Sequence, residues 1–290
     1  MIELKRILFP VDFSAQSRAV APFVKAMAKC FDAQVTALHV VPIPPSFSAL
    51  VDTEKITIEA SAALKRFLKE ELPGVRATPE LADGDPARWI VQYAKTLAAD
   101  LIMLPTHGYG PFRALLLGSV TAKVLHDAHC PVWTGVHAEK MLSHSPDRWK
   151  RVLCALDTSH DTSLGGDGAA PHVLPWALEF ARVQNLELRV VHAVAGADGM
   201  WTEQSDPSMY EFLFHAAREK LAALQAKLGT DLEIVLLPGS VGSAVHKAAL
   251  DFDADVIVCG RGAAQQAFGP LRSHAYSIIR EAPCPVISTP

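Results

Sequence analysis

The sequence has no long hydrophobic run, little net charge and few cysteines, and each shortage removes a class of protein. No stretch approaches the roughly 20 apolar residues that cross a bilayer as a helix. The first dozen residues, Met1 to Asp12, set charges around only a short apolar run, which argues for an uncleaved, cytoplasmic protein. A formal charge of −4 gives no electrostatic pull toward polyanions, so neither nucleic acid nor a membrane is expected as a partner. The five cysteines are odd in number and have no CxxC spacing, which points away from a disulfide framework or a zinc site. Most of them read as small buried hydrophobes.

What is present is a chain of 290 residues, half of them hydrophobic and a fifth charged, long enough for two cores of ordinary size. It is internally repeated. Lys5-Arg6-Ile7-Leu8-Phe9-Pro10-Val11-Asp12 is echoed by Lys150-Arg151-Val152-Leu153-Cys154-Ala155-Leu156-Asp157. Ala37-Leu38-His39-Val40-Val41 pairs with Val190-Val191-His192-Ala193-Val194, and Ala99-Asp100-Leu101-Ile102-Met103 with Ala254-Asp255-Val256-Ile257-Val258. Ala128-His129-Cys130-Pro131-Val132 pairs with Ala282-Pro283-Cys284-Pro285-Val286. Four matches in one order imply duplication. The boundaries read as domains at 1–138 and 149–290 with a polar linker at 139–148, and an insertion follows the first strand of the second copy, His160 to Ala170.

Within the first copy, apolar runs of strand length at 6–11, 34–41, 75–81, 100–104 and 131–136 alternate with longer stretches of helical periodicity. Ile56, Ala60, Ala63, Leu64, Phe67 and Leu68, for example, fall on one helical face. Five strands separated by helices imply parallel pairing with right-handed crossovers. The expected fold is therefore α/β, two tandem doubly wound five-stranded parallel-sheet domains of Rossmann-like type.

In such a sheet ligands bind beyond the carboxyl ends of the strands, where strand order reverses. Two loops of the first copy meet that description: the one carrying Pro10 and Asp12, and the one carrying Thr106-His107-Gly108-Tyr109-Gly110 and then Gly118-Ser119 before a helix from Val120 to His126. A glycine-rich loop feeding a helix start presents N–H groups to an anion.

Asp12, the two glycines Gly108 and Gly118 with nine residues between them, Ser119 and the closing Cys130-Pro131-Val132 together resemble the universal stress protein family, in its ATP-binding subtype, across nearly the whole chain twice. The resemblance implies an adenine nucleotide alpha hydrolase-like fold and an adenine nucleotide, with Mg²⁺ where phosphates demand it. It places Pro10 and Asp12 against the nucleoside, the Val40 backbone against adenine, and Gly108, Gly118, Ser119 and Val120 at the phosphates. Pro105 stands where the family pattern has its first glycine, and proline has no N–H to donate. In the second copy the corresponding set is Asp157, Ala193, Gly260, Gly262, Arg272 and Ser273, with the loop one residue short and arginine in place of Gly118. Arg272 could fill the phosphate space or bind an anion in it.

The implied function is a nucleotide-responsive stress regulator without strong catalysis, acting through regulatory protein partners. The family's closing strands commonly pair between subunits, so the two halves are expected to form an intramolecular pseudo-dimer, with a further homodimer open. Two other readings stand beside it: slow ATP hydrolysis or autophosphorylation, and a scaffold or binder of a small hydrophobic ligand lined by Trp201, Met209, Tyr210, Phe212 and Phe214. That aromatic group reads by default as core. Of the twelve histidines none sits in an HExxH pattern. His39 and His192 read as hydrogen-bonded structural residues, and His107, within the glycine loop, reads either as a phosphate contact or as a shaper of the turn. Gly239-Ser240-Val241-Gly242-Ser243 lacks the spacing of a nucleophile elbow, and Asp83 and Asp85 read as helix-capping residues.

Overall fold

A computed structural model of the protein describes residues 3–41, 53–106, 117–135, 146–157, 170–194, 207–261 and 274–290. The chain divides into two units, Glu3–Arg148 and Trp149–Pro290. In the first, β1 (Arg6–Pro10), α1 (Ala15–Cys30), β2 (Gln34–Val41), α2 (Thr53–Glu71), β3 (Ala77–Asp83), α3 (Pro86–Thr96), β4 (Leu101–Pro105), α4 (Ser119–Asp127) and β5 (Val132–Gly135) alternate as the apolar pattern requires. All strand pairs within the unit are parallel, in the order β3-β2-β1-β4-β5. The second unit repeats this with β6 (Arg151–Ala155), α5 (Ala170–Gln184), β7 (Glu187–Val194), α6 (Pro207–Leu228), β8 (Ile234–Pro238), α7 (Val241–Phe252), β9 (Val256–Gly260), α8 (His274–Glu281) and β10 (Val286–Thr289). Its order is β10-β9-β6-β7-β8, again parallel.

Because helices cover both faces, the central strands are apolar throughout. Ile7, Leu8 and Phe9 of β1 are buried, as are Leu101, Ile102, Met103 and Leu104 of β4. Each such large side chain contributes about 1.5–3 kcal/mol when removed from water. On α2 the expected face holds: Leu64, Phe67 and Leu68 are buried, and Ile56, Ala60 and Ala63 toward its start are half-buried. Strand β3 starts two residues later than its apolar run suggests. Gly74, at φ +78, and the bond from Val75 N–H to the Leu72 carbonyl use those residues to close the turn after α2. Pro79 is tolerated in β3, which pairs within its unit with β2 alone.

The duplication is visible in hydrogen bonds as well as in letters. The Asp100 carboxylate accepts from the backbone N–H of Lys5 at 2.9 Å and of Arg6 at 2.8 Å, and Asp255 accepts from Lys150 at 2.7 Å and Arg151 at 3.0 Å. This is why an Ala-Asp pair opens the fourth strand of each copy: the carboxylate ties that strand to the start of the first. Helices α1, α3, α5 and α7 each end on a left-handed residue, Asp32, Ala98, Asn185 and Asp253, and the next N–H returns to a carbonyl five residues back. Asp85 caps α3 by accepting from Arg88 N–H at 2.8 Å, with Pro86 in the first turn, and Ser240 caps α7 from the matching turn. Gly84 and Gly239 precede these caps, both at φ +115, a conformation that side-chain-bearing residues rarely adopt.

The last residues of the expected linker, Pro146–Arg148, form a 3-10 turn that packs on α1, and Pro146 is buried; residues 139–145 lie outside the described residues. So does most of the insertion after β6, up to Gly168-Ala169. Three cysteines, Cys154, Cys259 and Cys284, are buried, while Cys30 is exposed and Cys130 intermediate. Among the described residues no helix is long and apolar enough to cross a membrane.

Candidate functional site

Strand order in the first unit runs outward from β1 through β2 to β3 and, in the other direction, from β4 to β5. Order therefore reverses between β1 and β4, the place at which sheets of this type form a ligand crevice beyond the strand ends. Pro10 ends β1, with Asp12 two residues beyond it; Gly118, Ser119 and Val120 form the start of α4 after the loop from β4. Gly108 and His107 lie outside the described residues.

The Asp12 carboxylate is oriented from its own helix. Oδ1 accepts from the Ser14 N–H at 3.0 Å and from the hydroxyls of Ser14 and Ser17, which are themselves buried. Ser14 is also the N-cap of α1, accepting from Ser17 N–H at 3.1 Å. Three donors on Oδ1 fix the carboxylate plane and leave Oδ2 without a hydrogen-bond partner among the described residues. Phe13, between Asp12 and the cap, has φ +61, a strained value for a residue with a side chain. Its ring packs 4.4 Å from that of His39 and 6.0 Å from that of Phe67, which offsets the strain. The hydroxyls on Asp12 were not anticipated; the signal available was serine at two and five residues past the aspartate.

Val40 owes its position to strand alternation. The Leu38 carbonyl accepts from Val11 N–H at 2.8 Å, so the peptide groups of Leu38 face β1. Two residues on, those of Val40 face the same side, but β1 has ended at Pro10, and the edge opens into the crevice. His39 is structural, as expected: its Nδ1 lies 2.7 Å from the Val11 carbonyl, which can only accept, so Nδ1 carries the proton. The start of α4 differs from those of α1, α3 and α7, because its N-cap is Gly118 and no side chain caps it. Gly118 donates its own N–H to the Thr106 carbonyl at 2.9 Å. That bond closes the loop and removes Gly118 itself from the donors, leaving the N–H groups of Ser119, Val120 and Thr121, which have no partner inside the helix. Pro105 ends β4, and its carbonyl accepts from the Thr121 hydroxyl at 3.0 Å, so the residue in place of a glycine still anchors the helix start.

In the second unit order reverses between β6 and β9. Asp157 again lies two residues past the first strand, and Gly260 ends β9, paired with Thr289. The Val191 carbonyl accepts from Leu156 N–H at 3.0 Å, so the Ala193 peptide groups open beyond the end of β6 as those of Val40 do beyond β1. His192 repeats His39, with Nδ1 2.8 Å from the Leu156 carbonyl. Gly262, Arg272 and Ser273 lie outside the described residues, as does Trp201; of the aromatic group near α6, Phe212 is 66 % exposed rather than core. Here the carboxylate has a different partner. Nδ1 of His274, the first residue of α8, is 3.0 Å from Asp157 Oδ2. That contact raises the His274 pKa above the ordinary imidazole value, with partial burial opposing it. Counting back ten residues from Cys284 and Cys130 puts His274 at the position of Val120, which was the signal that could have singled it out.

The sequence profile described as the Universal stress protein family matches residues 3–134 and 148–290. The chain belongs to that family. Several universal stress proteins are similar to a stretch of a little under half of this chain. Universal stress protein MJ0531 of Methanocaldococcus jannaschii is 37% identical over 135 residues, covering 44% of this chain and 79% of that protein. A universal stress protein of Thermus aquaticus, encoded in the QAH/OAS sulfhydrylase 3' region, is 35% identical over 140 residues, 44% of this chain and 96% of that protein. The whole chain has the fold of a universal stress protein from Archaeoglobus fulgidus DSM 4304, with a TM-score of 0.69 at 21% identity over 99% of this chain and 97% of the other. The family fold thus occurs twice here, and the crevices that it creates are not lined alike.

Proposed function

We propose that the first unit binds an adenine nucleotide and that the protein is a cytoplasmic, nucleotide-responsive stress regulator whose bound state governs its contacts with regulatory partners. The observation that carries this reading is the convergence of three unlike groups on the β1/β4 crevice. The Val40 peptide edge offers an N–H and a carbonyl, the pattern that an adenine edge can pair with. Asp12 offers an accepting oxygen for ribose hydroxyls. The uncapped start of α4 offers N–H groups and the positive end of a helix dipole to phosphates. Mg²⁺ would be held chiefly by the phosphates, with Asp12 as a ligand from the chain.

Binding rather than turnover is the proposed activity. His39, whose imidazole is beside the crevice, has its Nδ1–H committed to the Val11 carbonyl and serves the strand ends. Native mass spectrometry of the purified chain, followed by calorimetry with ATP, tests the reading. Retained adenine nucleotide, or saturable ATP binding without hydrolysis, is expected. A chain that purifies empty and shows no heat with ATP or ADP would overturn it, and rapid release of phosphate would replace the regulator with an enzyme.

A further inference from the structure

The strand-end aspartates of the two units are held in opposite ways. Asp12 is fixed from behind by Ser14 and Ser17 of the segment that follows it. Asp157 is engaged from across the crevice by His274, which arrives on α8, the helix after β9. Since β6 and β9 are the neighbours between which strand order reverses, the His274–Asp157 bond joins the two loops that form the crevice mouth. In the first unit the same position is Val120, whose side chain has no polar atom to make such a bond. The two side chains are 52% and 43% exposed, so the pair is a surface contact that can open without dismantling the core.

We propose that His274 is a built-in competitor for the crevice of the second unit. Its imidazole takes the carboxylate that the first unit leaves open to a ribose hydroxyl, so a nucleoside enters the second unit only when this pair has opened. The inference rests on the reading of Asp12 and Asp157 as nucleoside-facing residues. It makes the two copies unequal: Oδ2 of Asp12 has no partner among the described residues, while the second site is held shut by the chain itself. The duplicated fold thereby keeps the Ala193 edge and Asp157 in place while holding the second site in reserve.

Calorimetry with ATP on the full-length chain tests this. Gly118→Asp, which removes binding in the first unit, serves as the background. In that background His274→Val is expected to reveal one site per chain, with affinity improved on the order of tenfold or more over Gly118→Asp alone. Equal binding by the two variants, whether present in both or absent from both, overturns the inference. Val120→His in the otherwise unaltered chain is the reciprocal test, expected to weaken first-unit binding on the order of tenfold, and unchanged affinity there counts equally against it. Should Gly118→Asp leave the wild-type binding intact, the reading of the first unit fails, and the effect of His274→Val still decides the competitor.

Discussion

Nδ1 of His274 lies 3.0 Å from Oδ2 of Asp157, joining residues 117 positions apart across the ends of β6 and β9. A carboxylate beside an imidazole favours the protonated ring, and the His274 pKa is raised accordingly. A group whose folded pKa is raised contributes stability that is full below its unfolded value, about 6.5 for histidine, and is lost as pH rises through the folded value. The stability difference between the wild type and His274→Val should therefore be larger near pH 5.5 than near pH 9. Both side chains are about half exposed, so salt should shrink that difference. Urea unfolding at the two pH values measures it, and an equal gap at both would show that the pair carries no proton linkage.

Gly118→Asp should abolish ATP binding by the first unit while leaving the fold slightly more stable. Gly118 is an N-cap at φ −59, a backbone that any residue adopts, and an aspartate there can accept from the N–H groups that no side chain now caps. The gain over glycine is expected to be about a few tenths of a kcal/mol, and the same carboxylate repels phosphate from the same donors. Calorimetry and thermal unfolding on one preparation check both signs. Full ATP affinity in the folded variant would mean that the start of α4 is not where phosphates sit.

Ala98→Gly should raise stability. Ala98 has φ +45 at the end of α3, where a residue with Cβ pays about 1–2 kcal/mol that glycine does not. The greater freedom of glycine in the unfolded chain returns roughly 0.4–1 kcal/mol of this, so a net gain of roughly 0.5–1 kcal/mol is expected. Denaturant titration decides it. A loss of stability would show that the Ala98 methyl makes contacts worth more than the strain.

Thiol labelling of the native protein should stop at Cys30 and Cys130. Burial raises the thiol pKa of Cys154, Cys259 and Cys284, that of Cys259 to about 12, and all three are buried within β6, β9 or the approach to β10. A buried thiol is neither reachable nor ionised, so labelling of these three should follow unfolding. Cys30 is exposed, yet its pKa is also raised, by partial burial and by Asp147, and it should react slowly at neutral pH. Mass spectrometry after a timed pulse of a maleimide counts the labels. More than two labels on a folded chain would contradict the burial.

The duplication, the alternation of strands and helices and the parallel sheets were all legible in the sequence, because each rests on a local pattern. A run such as Leu101-Ile102-Met103-Leu104 has no polar residue because both faces of β4 are covered, and that constraint is written into consecutive letters. The Asp85 cap was legible for the same reason, since its partner is the N–H of Arg88, three residues away. Aspartates at 12, 100, 157 and 255 were recognisable as repeated, but their partners were not. Asp100 and Asp255 turned out to clamp backbone N–H groups about a hundred residues upstream.

What the sequence determined by itself is thus the family, the twofold repeat and the positions at which each crevice has its aspartate and helix start. Only the tertiary structure decided how those positions are used. The facing of the Val40 peptide edge depends on where β1 ends relative to β2, which is a matter of register between strands. That Gly118 donates its own N–H to Thr106 depends on where the start of α4 is brought against the end of β4. That Asp157 is met by His274 depends on two segments distant in sequence converging at the strand ends, whereas Ser14 and Ser17 reach Asp12 from the residues that directly follow it. Periodicity records which face of an element is buried; it carries no record of which distant side chain arrives at a strand end, because that is fixed by packing.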